Sequence, residues 1–222
     1  MRALPCNFYR DYDFGRFVRL WTPVLACPLP PLQNAGSTRQ HFQKNLAARH
    51  ESCSLGGNAA SIAVVSKNPT RIGLISDTHG LLREEALSAL RGSELIIHAG
   101  DVGKPEILSA LKTLAPVVAV KGNIDTEPWA SALPATAVAE AGPITIYILH
   151  NIHDLDLDPA AAGFQIVVSG HSHKPERKEC SGVLYVNPGS AGPRRFNLPV
   201  TLARFDLGQT PWKLDFIDVA GN

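Results

Sequence analysis

The sequence predicts an α/β fold in which two packed sheets carry their helices on the outside. Two observations support this prediction. Between residues 71 and 120, short apolar runs alternate with segments of helical spacing, as in parallel βαβ units. From residue 136 onward, apolar runs follow one another with mostly short connections, which is typical of antiparallel strands. Parallel units followed by antiparallel strands favour two sheets packed in layers.

The first half of this region contains three predicted strands and two predicted helices. Each strand is a short apolar run, and each helix has apolar residues at helical spacing. Gly92 stands where the first helix would end, and Pro105 stands in the first turn of the second helix. The predicted strands cover residues 72–76, 94–98 and 117–120, and the predicted helices cover residues 81–90 and 105–114.

The second half is predicted to consist mainly of strands. Ala141-Gly142-Pro143 separates two apolar runs and predicts a hairpin, and residues 208–211 predict another. Residues 160–163 are predicted to form a short helix or turn. The predicted strands cover residues 136–140, 144–149, 165–169, 183–186, 200–206 and 212–219.

The chain of 222 residues is long enough for one substantial domain with a core. Residues 1–69 show no sustained periodicity of 2 or 3.6, and they mix Pro, Gly, Ser and Asn with isolated aromatic residues. We therefore expect a weakly ordered N-terminal extension over residues 1–69 and a single domain over residues 70–222.

Composition excludes several classes of partner. A net charge of +1 gives no basic surface for strong nonspecific nucleic-acid binding. No apolar run approaches the ~20 residues needed to cross a membrane. The four cysteines (Cys6, Cys27, Cys53 and Cys180) show no Cys-x-x-Cys spacing, which favours reduced thiols and a cytoplasmic protein. The sequence does not indicate the oligomeric state, and a homo-oligomer is compatible with it.

Polar residues that could bind metal recur after six of the apolar runs. Carboxylate, amide and imidazole groups together suit hard divalent cations, and no thiolate accompanies them. Ligands of open α/β sheets bind beyond the carboxyl ends of the strands, so these residues are expected to converge on one rim. The six islands are residues 76–80 (Ser-Asp-Thr-His-Gly), 98–101 (His-Ala-Gly-Asp), 122–125 (Gly-Asn-Ile-Asp), 149–151 (Leu-His-Asn), 170–173 (Gly-His-Ser-His) and 187–190 (Asn-Pro-Gly-Ser).

The ordered set over residues 71–207 resembles the calcineurin-like metallophosphoesterase superfamily. It is most similar to the small bacterial and archaeal phosphodiesterase branch (YfcE-type), to which the retromer scaffold subunit is related. The resemblance rests on Asp-x-His, Gly-Asp, Gly-Asn, a His at a strand end and Gly-His-x-His. It implies a four-layer αββα sandwich of two mixed sheets and a dinuclear metal site that hydrolyses phosphodiesters.

The resemblance also implies a ligand set. Asp77, His79 and His173 would bind one metal ion, Asn123, His150 and His171 would bind the other, and Asp101 would bridge both. A hydroxide bridging the two ions would be the nucleophile, and Asp101, Asn123 and His171 would belong to the catalytic machinery. Mn²⁺ is the first choice, with Ni²⁺, Co²⁺, Zn²⁺ and Fe²⁺ as alternatives.

Two positions depart from the superfamily pattern. Ile124 stands where the superfamily often has a His that acts as general acid, and an isoleucine cannot donate a proton. The small phosphodiesterase branch also commonly lacks that His. The fourth island lacks the usual His-Gly pair. The strand end favours His150 as the ligand there, with His153 as the alternative.

Further positions complete the prediction. His98 and Asp125 are expected behind the ligands, where they could orient them, and Arg194 is expected to contact substrate phosphate together with Asn123. The expected substrate is a small phosphodiester or nucleotide-like molecule. Two other functions stay open: a noncatalytic scaffold on the same fold, and a phosphomonoesterase or nucleotidase.

Overall fold

A computed structural model of the protein describes residues 61–63, 69–195 and 197–220. These residues all belong to one compact unit of the chain. Most of the predicted N-terminal extension over residues 1–69 lies outside the described residues, and its boundary stays a prediction.

The described chain alternates strands with short helices and then continues mainly as strands. Two short 3-10 helices cover Pro128–Ala132 and Ile152–Asp154. Two α-helices are present, α1 (Glu84–Leu90) and α2 (Pro105–Lys112). The strands are β1 (Ser61–Ala63), β2 (Arg71–Ile75), β3 (Leu95–His98), β4 (Val117–Ala119), β5 (Thr136–Ala141), β6 (Ile144–Leu149), β7 (Ile166–Val168), β8 (Glu176–Cys180), β9 (Val183–Asn187), β10 (Thr201–Asp206) and β11 (Lys213–Asp218).

One sheet has five strands in the order β11-β10-β2-β3-β4. β2, β3 and β4 are parallel to one another, whereas β10 and β11 add antiparallel pairs on one side. The loops that follow the three parallel strands therefore leave the sheet at the same edge.

The second sheet has six strands in the order β1-β5-β6-β7-β9-β8. β6, β7 and β9 are parallel, while β5 and β8 run antiparallel to their neighbours β6 and β9. The Gly170 amide donates to the His150 carbonyl over 2.9 Å, which joins the loops that follow β6 and β7. Two mixed sheets confirm the predicted α/β sandwich.

The main core lies between the two sheets. Leu74 and Ile97 from the five-stranded sheet share one buried cluster with Ile148 and Ile166 from the six-stranded sheet. Three alanines of β5 (Ala137, Ala139 and Ala141) point into the same cluster, and their small side chains limit the volume between the layers. The alternation of buried and half-buried residues along β5 is the period expected for a strand with one face in the core.

Different structures cover the outer faces of the two sheets. Leu90 of α1 and Leu111 of α2 pack in one buried cluster with Ile75 and Ile96 of the five-stranded sheet. The outer face of the six-stranded sheet presents Tyr147, and side chains from the connection between β6 and β7 cover that face instead of a long helix. None of the described helices is long and apolar enough to cross a membrane.

Two strands were not predicted, and both α-helices are shorter than predicted. The expectation of antiparallel strands after residue 136 is wrong for β6, β7 and β9, which are parallel to one another. β1 pairs in parallel with β5 and has only three residues. β8 is an edge strand with the sequence Glu-Arg-Lys-Glu-Cys, which lacks the apolar alternation that marks strands in a sequence. The first helix begins at Glu84, because residues 81–83 belong to the loop that leaves the metal-ligand island.

The expectation of reduced thiols is wrong at one position, since Cys180, at the end of β8, is disulfide-bonded in the structure. The other three cysteines lie outside the described residues. Localisation to the cytoplasm stays a prediction.

Truncating a side chain between the sheets should destabilise the domain strongly. Ile148 is fully buried, so Ile148→Ala is expected to lower the free energy of unfolding by about 2–5 kcal/mol because it leaves a cavity. Ile144→Ala is the matched control, because Ile144 lies on the same strand and the same face but is only half-buried. Denaturant unfolding should show a clearly smaller loss for Ile144→Ala. Equal losses would contradict the assignment of the core.

Candidate metal centre

The predicted ligands converge where the two sheets meet. Asp77 and His79 follow β2, Asp101 follows β3, and Asn123 follows β4. The remaining side chains come from the six-stranded sheet, with His150 after β6 and both His171 and His173 after β7. Hydrogen bonds tie the loops together, since the Asp77 amide donates to the Gly100 carbonyl over 3.0 Å.

One group of ligand atoms is formed by Asp77, His79 and His173. The Nε2 atoms of His79 and His173 lie 3.3 Å apart, and His173 Nε2 lies 3.3 Å from Asp77 Oδ1. All three residues offer an atom within 4.8 Å of the others, a spacing that one ion can span. Asp77 is fully buried, and His173 is nearly so.

A second group, Asp77, Asp101 and His150, lies beside the first and shares the Asp77 carboxylate with it. Asp101 Oδ1 lies 3.4 Å from His150 Nε2, and Asp101 Oδ2 lies 3.8 Å from His79 Nε2. Asn123 Oδ1 lies 3.1 Å from His150 Nε2 and 3.0 Å from His171 Nδ1. Asp101 thus stands between the two groups, with one oxygen toward each.

A divalent ion fits these residues. Asp77 Oδ1 is buried and accepts no hydrogen bond from any described residue, although an unpaired buried carboxylate oxygen is costly. A cation held between Asp77 Oδ1 and the nearby imidazole nitrogens would satisfy it. The donors are carboxylate, amide oxygen and imidazole, a set suited to Mn²⁺, Zn²⁺ or Fe²⁺.

Five of the seven predicted ligands have a left-handed backbone. The φ angles are 53° at Asp77, 46° at His79, 55° at Asp101, 68° at His171 and 59° at His173. Residues with a side chain rarely adopt this region, and each such residue costs on the order of 1–3 kcal/mol. Strain concentrated at one cluster of polar residues is typical of a functional site.

The His150 ring is oriented from behind. Its Nδ1 lies 2.8 Å from the Ala99 carbonyl, so Nδ1 carries the proton and donates to that oxygen. Nε2 is then directed toward Asp101 and Asn123. Burial opposes protonation of His150, but the hydrogen bonds to Asp101 and the Ala99 carbonyl outweigh it and raise the pKa of the imidazole.

The pKa values of two further side chains, Asp101 and His79, are both lowered, but for different reasons. Burial alone would raise the pKa of Asp101, but hydrogen bonds from His150 and the Ile124 amide lower it overall. The pKa of His79 is lowered, first by burial and then by the Arg195 guanidinium. Asp101 is therefore held as a carboxylate and His79 as a neutral imidazole, the forms that bind cations.

Two glycines allow the backbone to approach the carboxylates closely. A Cβ atom at Gly122 would collide with the Asp101 side chain. A Cβ atom at Gly170 would lie 2.8 Å from Asp77 Oδ2, the oxygen that accepts a hydrogen bond from the His171 amide. These glycines of the predicted islands therefore make room for the ligands.

Asp125 joins two loops that carry predicted ligands. Its carboxylate accepts hydrogen bonds from three backbone amides, at 3.1 Å from Val102, 2.8 Å from Gly103 and 2.8 Å from Gly122. The loop after β3 is thereby fastened to the loop after β4. Its predicted place behind the ligands stays a prediction, but its contacts support a role in setting the distance between Asp101 and Asn123.

His98 lies fully buried under the Asp77 loop. The Thr78 hydroxyl donates to the Val102 carbonyl, so His98 Nε2–H donates to Thr78 Oγ1 over 3.0 Å. His98 Nδ1 has no hydrogen-bond partner among the described residues. Burial lowers the pKa of His98 to about 4, so the ring is neutral at physiological pH.

Two residues of the sixth island have structural contacts that the sequence did not specify. The Asn187 side chain donates to the Gly170 carbonyl over 2.7 Å and to Ser172 Oγ over 3.0 Å. The Ser190 hydroxyl donates to the Asp77 carbonyl over 3.0 Å. Both therefore hold ligand loops in place. Their position after a strand was the available signal, but the contacts depend on the packing of the two sheets.

The remaining predicted positions differ in how near they lie to this cluster. His153 is exposed on the 3-10 helix, whereas His150 is within the cluster, which supports His150 as the ligand. Arg195 approaches His79 Nδ1 to 3.5 Å. Arg194 is exposed, and its contact with substrate stays a prediction.

Neutralising Asp125, whose carboxylate joins the loops after β3 and β4, should weaken metal binding. Asp125→Asn replaces one acceptor oxygen with an amide donor, so at least one of three backbone hydrogen bonds is lost. We expect a 10–100-fold lower affinity for Mn²⁺ by titration calorimetry. Asp158→Asn is the matched control, since Asp158 accepts two amide hydrogen bonds in an exposed turn. Wild-type affinity in Asp125→Asn would contradict the role of Asp125 in holding the two ligand loops together.

Burial of His98 should make the metal-free protein sensitive to acid. The unfolded chain binds a proton near pH 6.5, while folded His98 resists protonation down to about pH 4. The unfolded state therefore binds more protons in this window, and stability falls as the pH drops from 6.5 to 4, by about 3 kcal/mol.

His98→Gln keeps an N–H donor for Thr78 and cannot titrate. Denaturant unfolding of chelated protein should show a flatter dependence on pH between 4 and 6.5 than the wild type, and a constant difference above pH 8. Identical slopes for the two proteins would contradict the assignment of His98 as a buried histidine with a lowered pKa.

Comparison with known proteins gives the family of the chain. The calcineurin-like phosphoesterase superfamily domain matches residues 70–210. A probable metallophosphoesterase of Methanothermobacter thermautotrophicus is 34% identical over 148 residues, which are 61% of this chain and 86% of that protein.

Two solved structures show the same architecture. A predicted phosphoesterase from Streptococcus pneumoniae is 27% identical with a TM-score of 0.56, and the match covers 68% of this chain and 90% of that chain. Vps29 of Chaetomium thermophilum is 18% identical with a TM-score of 0.54, covering 66% of this chain and 96% of that chain, so it shows the fold alone. The chain belongs to the calcineurin-like phosphoesterase superfamily.

Proposed function

We propose that the protein is a metal-dependent phosphoesterase that hydrolyses phosphodiesters with two divalent ions. The observation that supports this best is the pair of adjacent ligand groups, Asp77-His79-His173 and Asp77-Asp101-His150. They share a buried carboxylate and lie under one rim of the sandwich. Two ions in such a site would supply Lewis-acid activation of the phosphoryl group and a bridging hydroxide nucleophile.

The residues divide into two sets around Asp101. Asp77, His79 and His173 would hold one ion, and Asn123, His150 and His171 would hold the other. Asp101 directs one oxygen toward each set, so its single negative charge would lie between two dications. The backbone amide of Ile124 donates to Asp101 Oδ1 over 3.1 Å and fixes the orientation of that carboxylate.

Diesters are favoured over monoesters by the residue that follows Asn123. Ile124 is 40% exposed at the rim and offers no proton to a leaving group. Substrates with good leaving groups should therefore react best. Arg195 brings positive charge to the side of His79, and Arg194 precedes it in the chain as the proposed contact to a phosphoryl oxygen. Mn²⁺ is the proposed native ion, and the cytoplasm is the proposed location.

A noncatalytic scaffold on the same fold is the main alternative. A scaffold has no need for two buried carboxylates, five left-handed ligand residues and an unpaired Asp77 oxygen, all of which destabilise the folded chain. Phosphomonoesterase or nucleotidase activity is the other alternative. Parallel assays of aryl monoesters and diesters distinguish it from diester hydrolysis.

Metal should restore activity to chelated protein. We expect hydrolysis of bis(p-nitrophenyl) phosphate to be at background after chelation and to return on addition of Mn²⁺, measured by release of p-nitrophenolate. Ni²⁺, Co²⁺ and Zn²⁺ test the identity of the ion. Absence of turnover with all four ions in folded protein would favour the scaffold.

The variant Asp101→Asn separates this site from a contaminating hydrolase. Loss of the Asp101 carboxylate, which directs one oxygen toward each ligand set, should lower kcat/KM at least about 100-fold, because it removes charge from both ion positions. Asp218→Asn is the control, since the Asp218 side chain accepts only the exposed Ala220 amide in the described structure. Equal rates in both variants would show that the activity arises elsewhere.

A further inference from the structure

The metal centre opens on one side into a cavity of about 640 Å³. Asn123, His150 and His171 line this cavity and also belong to the ligand groups. An ester held at the centre would therefore have a substituent within reach of the cavity. Its volume lies within the roughly 300–1,000 Å³ of small-molecule sites, and far exceeds the space needed by a methyl group.

The wall of the cavity is mainly apolar. It is built from the outer face of β5 and β6 and from the connection between β6 and β7. Tyr147 and Phe164 stand in this wall with their ring centroids 5.0 Å apart and their planes inclined by 42°. Such rings offer faces and edges against which another ring can pack. The large apolar side chains are Val138, Tyr147, Leu149, Leu157 and Phe164.

The charges around the cavity are unequal. Lys121 lies two residues before Asn123, whereas Asp154 and Asp156 lie on the connection after β6. All three side chains are exposed at the mouth. Two carboxylates against one ammonium group disfavour an ester arm that carries further negative charge.

We propose that this cavity binds one ester arm of the substrate and that the arm is an uncharged group with a ring. This inference rests on the proposed function, because the phosphoryl group must be held by the metal ligands. Burying the ring against Tyr147, Phe164 and Val138 provides the selectivity. Asp154 and Asp156 select against arms that carry a carboxylate or a further phosphate.

A bulky residue in the wall should block the arm without touching the metal ligands. Val138 is half-buried on β5 and lines the cavity, so Val138→Trp would fill part of it. Glu140→Trp is the matched control, since Glu140 lies on the same strand and face, two residues along, and does not line the cavity. Circular dichroism and Mn²⁺ titration verify that both variants fold and bind metal.

Titration calorimetry of the Mn²⁺-loaded full chain with phenyl phosphate and methyl phosphate tests the proposal. The two esters carry the same charged group and differ only in the arm. We expect phenyl phosphate to bind at least about tenfold more tightly to the wild type and to Glu140→Trp, because its ring is removed from water. Val138→Trp should reduce this ratio to about one.

Several outcomes would overturn the proposal. These are equal affinities for the two esters in the wild type, an unchanged ratio in Val138→Trp, or no binding of either ester. The charge argument is tested with 4-carboxyphenyl phosphate, which should bind more weakly than phenyl phosphate. Tighter binding of the carboxylate would refute the selection against negative arms.

The same data separate this inference from the proposed function. Val138→Trp could abolish the preference for phenyl phosphate while no metal supports diester hydrolysis. That result would retain the cavity as a binding site for the arm and reject the phosphodiesterase activity. Diester hydrolysis by a wild type that binds both esters equally would retain the enzyme and reject the cavity as a subsite.

Discussion

The burial of two carboxylates, Asp77 and Asp101, is the physical constraint on which the rest of the site depends. An ionised carboxylate removed from water costs several kcal/mol unless partners compensate for it. The compensation here comes from imidazole rings and from the amides of His171 and Ile124, and the proposed ions would add to it. Because these partners belong to loops from both sheets, the charges are stable only when the sandwich is assembled.

The loops around the carboxylates stabilise one another against backbone strain. Left-handed residues with side chains are unfavourable by themselves, yet five of them adjoin each other here. Asp125 fastens the loops after β3 and β4, and Asn187 fastens the loop after β7. Asp125 and Asn187 each join backbone segments that are distant in sequence. The rigid sheets that carry these segments therefore determine the positions of the ligands.

The outer faces of the two sheets are covered by different structures, and the six-stranded sheet has an open cavity next to the ligand cluster. Two amphipathic helices close the outer face of the five-stranded sheet, and their apolar side chains complete a second core. The outer face of the six-stranded sheet is covered by a 3-10 helix and a connection instead, which leave an open cavity beside His150 and His171. The open cavity next to the ligand cluster therefore exists because a helical layer is incomplete there.

The sequence by itself determined the two-sheet architecture, most strand positions and the polar islands, because periodicity and strand-end residues are local properties. It did not indicate β8, whose charged residues carry no apolar alternation. Tertiary structure decided the three amides bound by Asp125, the approach of Arg195 to His79, and the cavity beside Tyr147. These features join residues far apart in the chain, so their distances follow from how the layers pack.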